Sequence, residues 1–214
     1  MPDLLRMRLF IAIIPPARLR HELVTSYGDA VRTPGWRFTR EANLHVTLQF
    51  LGAVPDSAVA GLCRELGHVQ WSTFQMTIGA CRLAPDTRRP RMLWLDFVDT
   101  DACFDLVKRV RSAVGHVLDL DMDHRSFRAH ITLARLKRAK RVPETQQAIA
   151  GRLRPLEKRQ FRVDRFFLVE SMLNPDGARY EVVASFPAAD AGVRSGAGEI
   201  PSPGSWPVKG DFGE

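Results

Sequence analysis

The chain has 214 residues, of which 45% are hydrophobic and 26% charged, with a formal net charge of +7. This composition is ordinary for a soluble globular protein, and the positive charge favours an anionic partner such as RNA. The apolar run from Ile11 to Pro16 is too short for a signal peptide or a membrane span. The three cysteines, Cys63, Cys81 and Cys103, show no metal-ligand spacing. We therefore expect reduced thiols and a cytoplasmic protein.

The hydrophobic pattern changes between strand and helix periods along the chain. Strands are predicted over 9–14, 44–51, 74–81, 92–97, 127–134, 161–171 and 178–185. Helices are predicted over 16–31, from Asp56 as N-cap to about 66, and over 101–118. Because strands and helices do not alternate regularly, the order indicates an α+β protein with antiparallel sheets rather than a doubly wound sheet.

Two tetrapeptides of the same form, HVTL and HITL, begin at His45 and His130. Side chains of a strand alternate between its two faces. Each histidine therefore shares a face with the threonine two residues later, Thr47 or Thr132, while the aliphatic residues point the other way. One such histidine would ordinarily be a core residue bonded to a neighbouring backbone group. The matched pair instead indicates a functional site.

Two imidazoles and two hydroxyls in one cleft suit the cleavage of a phosphodiester without a metal. One imidazole takes a proton and the other gives one, while the hydroxyls bind phosphate oxygens. The two motifs are nearly symmetric, so their residues alone leave the donor and acceptor roles open.

The chain resembles the two-histidine (2H) phosphoesterase superfamily, and within it the RNA 2′,3′-cyclic phosphodiesterases, also called 2′–5′ RNA ligases. The resemblance extends in order from about residue 7 to about residue 187. The segments that carry it are 8–13, 36–38, 41–52, 89–94, 127–135, Ser171 and 177–180.

This resemblance implies a bilobal, pseudo-twofold-symmetric α+β fold, with antiparallel sheets flanked by helices around a central groove. Each lobe would contribute one motif strand. We accordingly expect a two-lobed domain over 1–187. Residues 188–214 are rich in Gly, Ala, Ser and Pro, and are expected to form a flexible C-terminal tail.

The resemblance also implies metal-independent and cofactor-independent hydrolysis of RNA 2′,3′-cyclic phosphodiester ends to 2′-phosphomonoesters, together with 2′–5′ RNA ligase activity. It assigns His45 as proton donor and His130 as proton acceptor. Thr47 and Thr132 would hold the non-bridging oxygens, and Arg135 would offset the negative charge.

The expected partner is RNA with 2′,3′-cyclic phosphate ends, such as tRNA fragments. We expect a monomer that binds neither metal nor membrane. Two alternatives stay open. One is a 2H phosphodiesterase for another small substrate, either a 2′–5′ oligonucleotide or an ADP-ribose cyclic phosphate. The other is a non-catalytic RNA-binding protein.

Two features depart from a symmetric site. Gln49 stands where many relatives carry Arg, so Arg135 is expected to be the main phosphate cation. Strict alternation places Arg135 on the face opposite His130, so a strand end or a bulge must turn it back.

Trp36, Phe38 and Phe10 are expected in the core rather than under a nucleobase. The basic stretch over 137–159 is expected to be either a solvated helix surface or an RNA-tracking patch.

Overall fold

The computed structural model describes residues 6–28, 32–85, 90–119, 127–137, 142–174 and 177–192. The strands are β1 (Arg6–Ile13), β2 (Trp36–Phe38), β3 (Val46–Pro55), β4 (Phe74–Ala84), β5 (Met92–Val98), β6 (His130–Leu136), β7 (Gln160–Val163), β8 (Arg165–Asn174) and β9 (Gly177–Pro187). The helices are α1 (Ala17–Thr25), α2 (Asp56–Gly67), α3 (Asp101–Gly115) and α4 (Val142–Leu153).

The nine strands form one antiparallel sheet whose two halves meet at the motif strands. The order is β7-β4-β5-β6-β3-β1-β8-β9, with β2 also paired to β6. The register between β3 and β6 consists of the single pair Val46 and Ile131. Each half therefore contributes four strands to this order, and the innermost of the four is its motif strand, β6 or β3. The predicted α+β bilobal fold is confirmed, but the two lobes share a continuous sheet rather than having separate ones.

One face of the sheet is covered by the helices and holds the main core. In α2 the buried residues Val59, Leu62, Cys63 and Leu66 follow the helical spacing that places side chains on one stripe. The helix begins at Asp56 itself, and Pro55 occupies the cap position, so the predicted aspartate N-cap is wrong. Covering one face leaves the opposite face of the motif strands available for polar side chains.

The opposite face carries a small apolar cluster, Phe10, Ala12 and Val169, beside the polar residues of the motifs. Val46 and Ile131 point into the main core and are fully buried. The alternation predicted for both motif strands is thus observed, with aliphatic residues inward and polar residues outward.

The strand predicted over 161–171 is divided at Asp164. Before it, β7 pairs with β4 in the half that contains β6. After it, β8 pairs with β1 in the half that contains β3. The chain therefore crosses between lobes within one apolar run, and alternation alone gives no sign of such a crossing.

Anchoring of the chain continues past the predicted tail boundary at 188. The Ala188 amide donates to the Asp164 carbonyl at 2.8 Å, and the Ala189 amide to the Trp71 carbonyl at 2.9 Å. The Asp190 carboxylate accepts the Thr73 amide at 2.7 Å. These contacts fasten residues 188–190 to the domain, and the rest of the predicted tail, from 193 onward, lies outside the described residues.

Among the described helices, none combines the length and the apolar character needed to cross a membrane.

Candidate active site

The two His-x-Thr motifs lie side by side where β3 and β6 meet. Their central residues, Val46 and Ile131, are directly opposite one another in an antiparallel pair. Antiparallel pairing therefore brings the His45 side of one strand toward Thr132 and the His130 side toward Thr47. All four side chains lie opposite the core face and keep partial exposure. The structure thus brings together the two motifs that the sequence singled out.

Each imidazole is oriented by a hydrogen bond from its Nδ1 to the backbone carbonyl two residues earlier. His45 Nδ1 lies 2.7 Å from the carbonyl oxygen of Asn43, and His130 Nδ1 lies 2.8 Å from that of Arg128. A carbonyl oxygen can only accept, so each Nδ1 carries a proton. In the neutral ring, Nε2 is then the unprotonated nitrogen. The Nε2 atom of His45 lies 3.0 Å from Thr47 Oγ1, whose hydroxyl donates to it.

The rings around the histidines differ between the two halves. His45 lies against Phe10, with ring centroids 4.8 Å apart, and meets Tyr180 edge-on at 5.2 Å. His130 instead stacks on Trp94, with centroids 3.7 Å apart and an interplanar angle of 22°. His130 is therefore held on the face of an aromatic ring, whereas His45 is packed between the tilted ring of Phe10 and the perpendicular ring of Tyr180.

Burial lowers the pKa of both histidines. For His45, burial lowers the pKa to about 4; the Asn43 carbonyl partly offsets this, and the charges of His130 and Arg135 add to it. For His130, burial again lowers the pKa, against the opposing effects of the Arg128 carbonyl and the Asp96 carboxylate. Both rings are therefore neutral in the unliganded protein near pH 7. An anionic phosphate in the groove would raise both pKa values.

A β-bulge turns Arg135 onto the histidine face. In the β5–β6 register Trp94 is opposite Thr132 and Leu93 is opposite Ala134, so Leu133 is an extra residue. Leu133 and Ala134 are consecutive and both are fully buried. The alternation resumes one step out of phase, and Arg135 is exposed on the side of His130. The bulge that the sequence required for Arg135 is thus present.

An equivalent bulge in β3 turns Gln49 away from the histidine face. Ala12 is opposite Thr47 and Ile11 is opposite Gln49, so Leu48 is the extra residue. Gln49 consequently points inward, where its Oε1 accepts a hydrogen bond from Arg111 Nε at 2.8 Å. The groove position that matches Arg135 belongs to Phe50, which is 68% exposed. Gln49 is therefore not the weakened phosphate ligand that its place in the motif suggested.

Several other sequence candidates lie away from the two histidines or in the core. Trp36 is buried in the main core, as expected, whereas Phe10 is buried in the small cluster on the histidine face, where its ring lies against His45. Within the basic stretch, Arg159 is ion-paired to Glu22 of α1, and the Arg152 guanidinium lies against Gly28. These two arginines are used in packing the stretch onto the α1 region. Within the described ranges, no three His, Cys, Asp or Glu side chains are grouped so that they could hold a metal ion.

The residues that hold the histidines were not found from the sequence. Asn43 and Arg128 each stand two positions before a histidine, and that repeated spacing is the signal that could have identified them. Trp94 and Tyr180 come from other strands, so nothing near the motifs in sequence points to them.

Comparison with known proteins agrees with this geometry. The model of the LigT-like phosphoesterase family matches residues 14–94 and 98–180. The chain belongs to the LigT-like phosphoesterase family. Within this family, the RNA 2′,3′-cyclic phosphodiesterase of Archaeoglobus fulgidus is 26% identical over 184 residues, covering 84% of this chain and 99% of the relative. The protein of the same name from Thermus thermophilus is 28% identical over 189 residues, covering 84% and 89%.

Solved structures share the fold of this LigT-like phosphoesterase. A Thermus thermophilus protein superimposes with a TM-score of 0.71 at 28% identity, covering 85% of this chain and 97% of that one. LigT of E. coli in complex with 3′-AMP gives a TM-score of 0.69 at 24% identity, covering 86% and 99%. The family and these relatives support a phosphoesterase enzyme of the 2H type.

Proposed function

We propose that the protein is a metal-independent RNA 2′,3′-cyclic phosphodiesterase that opens the cyclic end to a 2′-phosphomonoester. The observation that carries the proposal is the placement of two carbonyl-anchored imidazoles, two threonine hydroxyls and one arginine on one face of the sheet, where β3 and β6 meet. The named relatives act as a second support, because their names specify this substrate.

In the proposed reaction, water attacks the phosphorus in line with the departing ribose 3′-oxygen. His130 Nε2 takes a proton from the water as the new P–O bond forms. The bond from phosphorus to the 3′-oxygen breaks, and protonated His45 gives its Nε2 proton to that oxygen. The product has a 2′-phosphate and a 3′-hydroxyl; His45 has lost one proton to the 3′-oxygen, and His130 has gained one from the water. Exchange with solvent restores the starting state.

The surroundings of the two rings favour this direction of transfer. Burial, together with the nearby Arg135 guanidinium, lowers the pKa of His45 to about 4, so the protonated form of His45 is a strong acid. His130 has the Asp96 carboxylate nearby, which makes it the better proton acceptor. The donor must be charged before transfer. The phosphate monoanion supplies the negative charge that favours protonated His45 once substrate is bound.

The remaining groups bind the phosphoryl oxygens. Thr47 and Thr132 lie on the histidine face, one from each half, and would donate to the two non-bridging oxygens. Thr47 would exchange its bond to His45 for a bond to phosphate. Arg135 is close enough to lower the pKa of both histidines, and its charge would offset the negative charge of the transition state.

The edge of the groove suits an RNA chain. Exposed cations lie along the neighbouring ends of three strands: Arg37, Arg91, Arg135 and Lys137. Their charges would attract a phosphate backbone. On the other half, the exposed ring of Phe50 lies 6.2 Å from that of Phe10 and offers a surface on which a base could stack. A 5′-hydroxyl of a second RNA in place of water would give the 2′–5′ ligation that the family resemblance implies.

The decisive assay uses an oligoribonucleotide with a 2′,3′-cyclic phosphate end, incubated with the purified protein in EDTA. Conversion to a 2′-phosphate supports the proposal. Turnover only of a 2′–5′ oligonucleotide or an ADP-ribose cyclic phosphate would reassign the substrate within the 2H enzymes. Binding of RNA without any turnover would identify a non-catalytic RNA-binding protein.

A further inference from the structure

A buried carboxylate lies directly beside His130. Asp96 of β5 is opposite His130 in the β5–β6 register and is only 5% exposed. Its Oδ2 accepts from Arg82 Nε at 2.8 Å and from Arg128 Nη2 at 2.9 Å. Burying an unpaired carboxylate is strongly unfavourable, because the charge loses its hydration. Two guanidinium partners offset that cost here.

Arg128 connects this carboxylate to the imidazole. Its side chain is bound by Asp96, and its backbone carbonyl accepts the Nδ1 proton of His130 at 2.8 Å. The residue is therefore held at one end by the carboxylate while its other end orients the ring. A shift of Arg128 would move the carbonyl and leave His130 free to rotate or to change tautomer.

In the first half of the molecule, the residue that orients the histidine is also tied to another strand by its side chain, but through an uncharged hydrogen bond. Asn43 supplies the carbonyl for His45 Nδ1, and its side-chain amide donates to the Ala178 carbonyl of β9 at 2.8 Å. In both halves, the residue two positions before the histidine is tied by its side chain to another strand. In the second half alone that tie is a charged one. The repetition indicates that the tie serves the histidine rather than the arginine.

The other carboxylate oxygen supplies a second effect. Asp96 Oδ1 is buried and has no hydrogen-bond partner among the residues that the structure describes. Burial is the main cause that lowers the pKa of His130, with the charges of Arg128 and Arg135 acting in the same direction, and the negative charge of Asp96 opposes this lowering. For His45, burial is the main cause that lowers the pKa to about 4, and the Arg135 guanidinium acts in the same direction. Asp96 therefore adds to the difference between the two imidazoles.

We propose that Asp96 is a positioning residue: it holds Arg128 so that the Arg128 carbonyl fixes His130 Nδ1, and it places a negative charge beside the ring of the proton acceptor. The proposal rests on the proposed function for its catalytic consequence, since only a proton acceptor in the reaction benefits from added basicity. Its structural part, the tautomer and basicity of one ring, can be measured without any substrate.

The test compares Asp96→Asn with Glu22→Gln. Glu22 is a matched control because its carboxylate also bridges two arginines, Arg18 and Arg159, but on α1. The nitrogen signals of His130 are followed by NMR through a pH titration, and the pH profiles of kcat and kcat/KM are recorded on a cyclic-phosphate substrate. The expected result for Asp96→Asn is a lower titration midpoint for His130 and a fall in kcat of about tenfold or more, with KM little changed. Glu22→Gln should leave both readouts unchanged.

Arg128→Ala separates orientation from charge, and its exposed side chain makes a folded variant expected. This change keeps the carbonyl but removes the tether and one positive charge. The midpoint of His130 should rise while kcat still falls. An unchanged His130 midpoint in Asp96→Asn, or normal kcat in Arg128→Ala, would overturn the proposal. If wild-type protein lacks activity on cyclic phosphates, the proposed function fails, yet the NMR titration still decides the effect of Asp96 on His130.

Discussion

Replacing Arg135 by alanine tests how the β-bulge in β6 serves the site. The bulge at Leu133 brings the guanidinium onto the histidine face, where its charge acts on both imidazoles. A hydrogen bond to a charged group contributes about 1.5–3 kcal/mol, and solvent around this exposed side chain favours the lower part of that range. A loss of about 1.5–2 kcal/mol corresponds to a fall in kcat/KM of roughly 10- to 30-fold.

Gln49→Ala is the matched comparison in the equivalent bulge of β3. Because Gln49 points inward and accepts from Arg111, its loss should lower the free energy of unfolding by about 1–2 kcal/mol while kcat/KM stays close to wild type. Arg135→Lys should recover only part of the activity, because lysine lacks the planar fork that grips two oxygens.

The assay is steady-state hydrolysis of a 2′,3′-cyclic nucleotide, with denaturant unfolding measured on the same preparations. Equal and mild losses of kcat/KM in Arg135→Ala and Gln49→Ala would refute the reasoning. The phosphate would then be held by the histidines, the threonines and backbone amides, and the bulge would have no role in binding it.

Three further outcomes are expected. Activity should survive excess EDTA, because proton transfer is assigned to side chains; loss on chelation, with recovery on adding one divalent ion, would recast His45 and His130 as metal ligands. The optimum of kcat/KM should lie below pH 6.5, because the pKa of each histidine is lowered from that value; an optimum above pH 7 would contradict these environments. Phe50→Ala should raise KM for a cyclic nucleotide but not for a base-free ribose 2′,3′-cyclic phosphate, because only the former has a base to stack. Leu173→Ala is the control: it also removes a side chain that is 68% exposed, and it should leave KM for both substrates unchanged. Equal effects of the two variants on KM would exclude stacking on Phe50.

Folding stability should also depend on the pH because of His45. Its folded pKa of about 4 lies below the unfolded value near 6.5, so the unfolded state binds the proton first on acidification. The contribution of His45 to stability is therefore present above pH 6.5 and is lost progressively as the pH falls toward 4. Denaturant titrations of wild type and His45→Asn at several pH values should show a flatter dependence in the variant.

The parts of the site that depend on alternation were predictable from the sequence. The spacing of His45 and Thr47, repeated in His130 and Thr132, correctly placed each pair on one face of a strand. The repetition also correctly indicated two related lobes. These inferences rest on the two-residue period of strands, which is set by local backbone geometry.

Other parts of the structure were harder to predict from the sequence, because they depend on β-bulges that shift the alternation of side chains or on which strands become neighbours. A bulge adds one residue to a strand without a distinctive local signal, so the inward position of Gln49 was not predicted. Arg135 was placed correctly only because its proposed role required a bulge. The crossing at Asp164 and the tether from Asp96 to Arg128 depend on which strands become neighbours, and that is decided by tertiary packing.

The most direct test of the central claim is single replacement of each motif histidine. His45→Ala and His130→Ala should each lower kcat on an RNA with a 2′,3′-cyclic phosphate end by at least about 10²-fold, the usual loss for a positioned acid or base. His21→Ala serves as the control, because this histidine lies on α1 and its side chain is 74% exposed. Circular dichroism of each variant establishes that it is folded. Near-normal turnover in either folded motif variant would contradict the account, since that histidine would then take no part in the reaction.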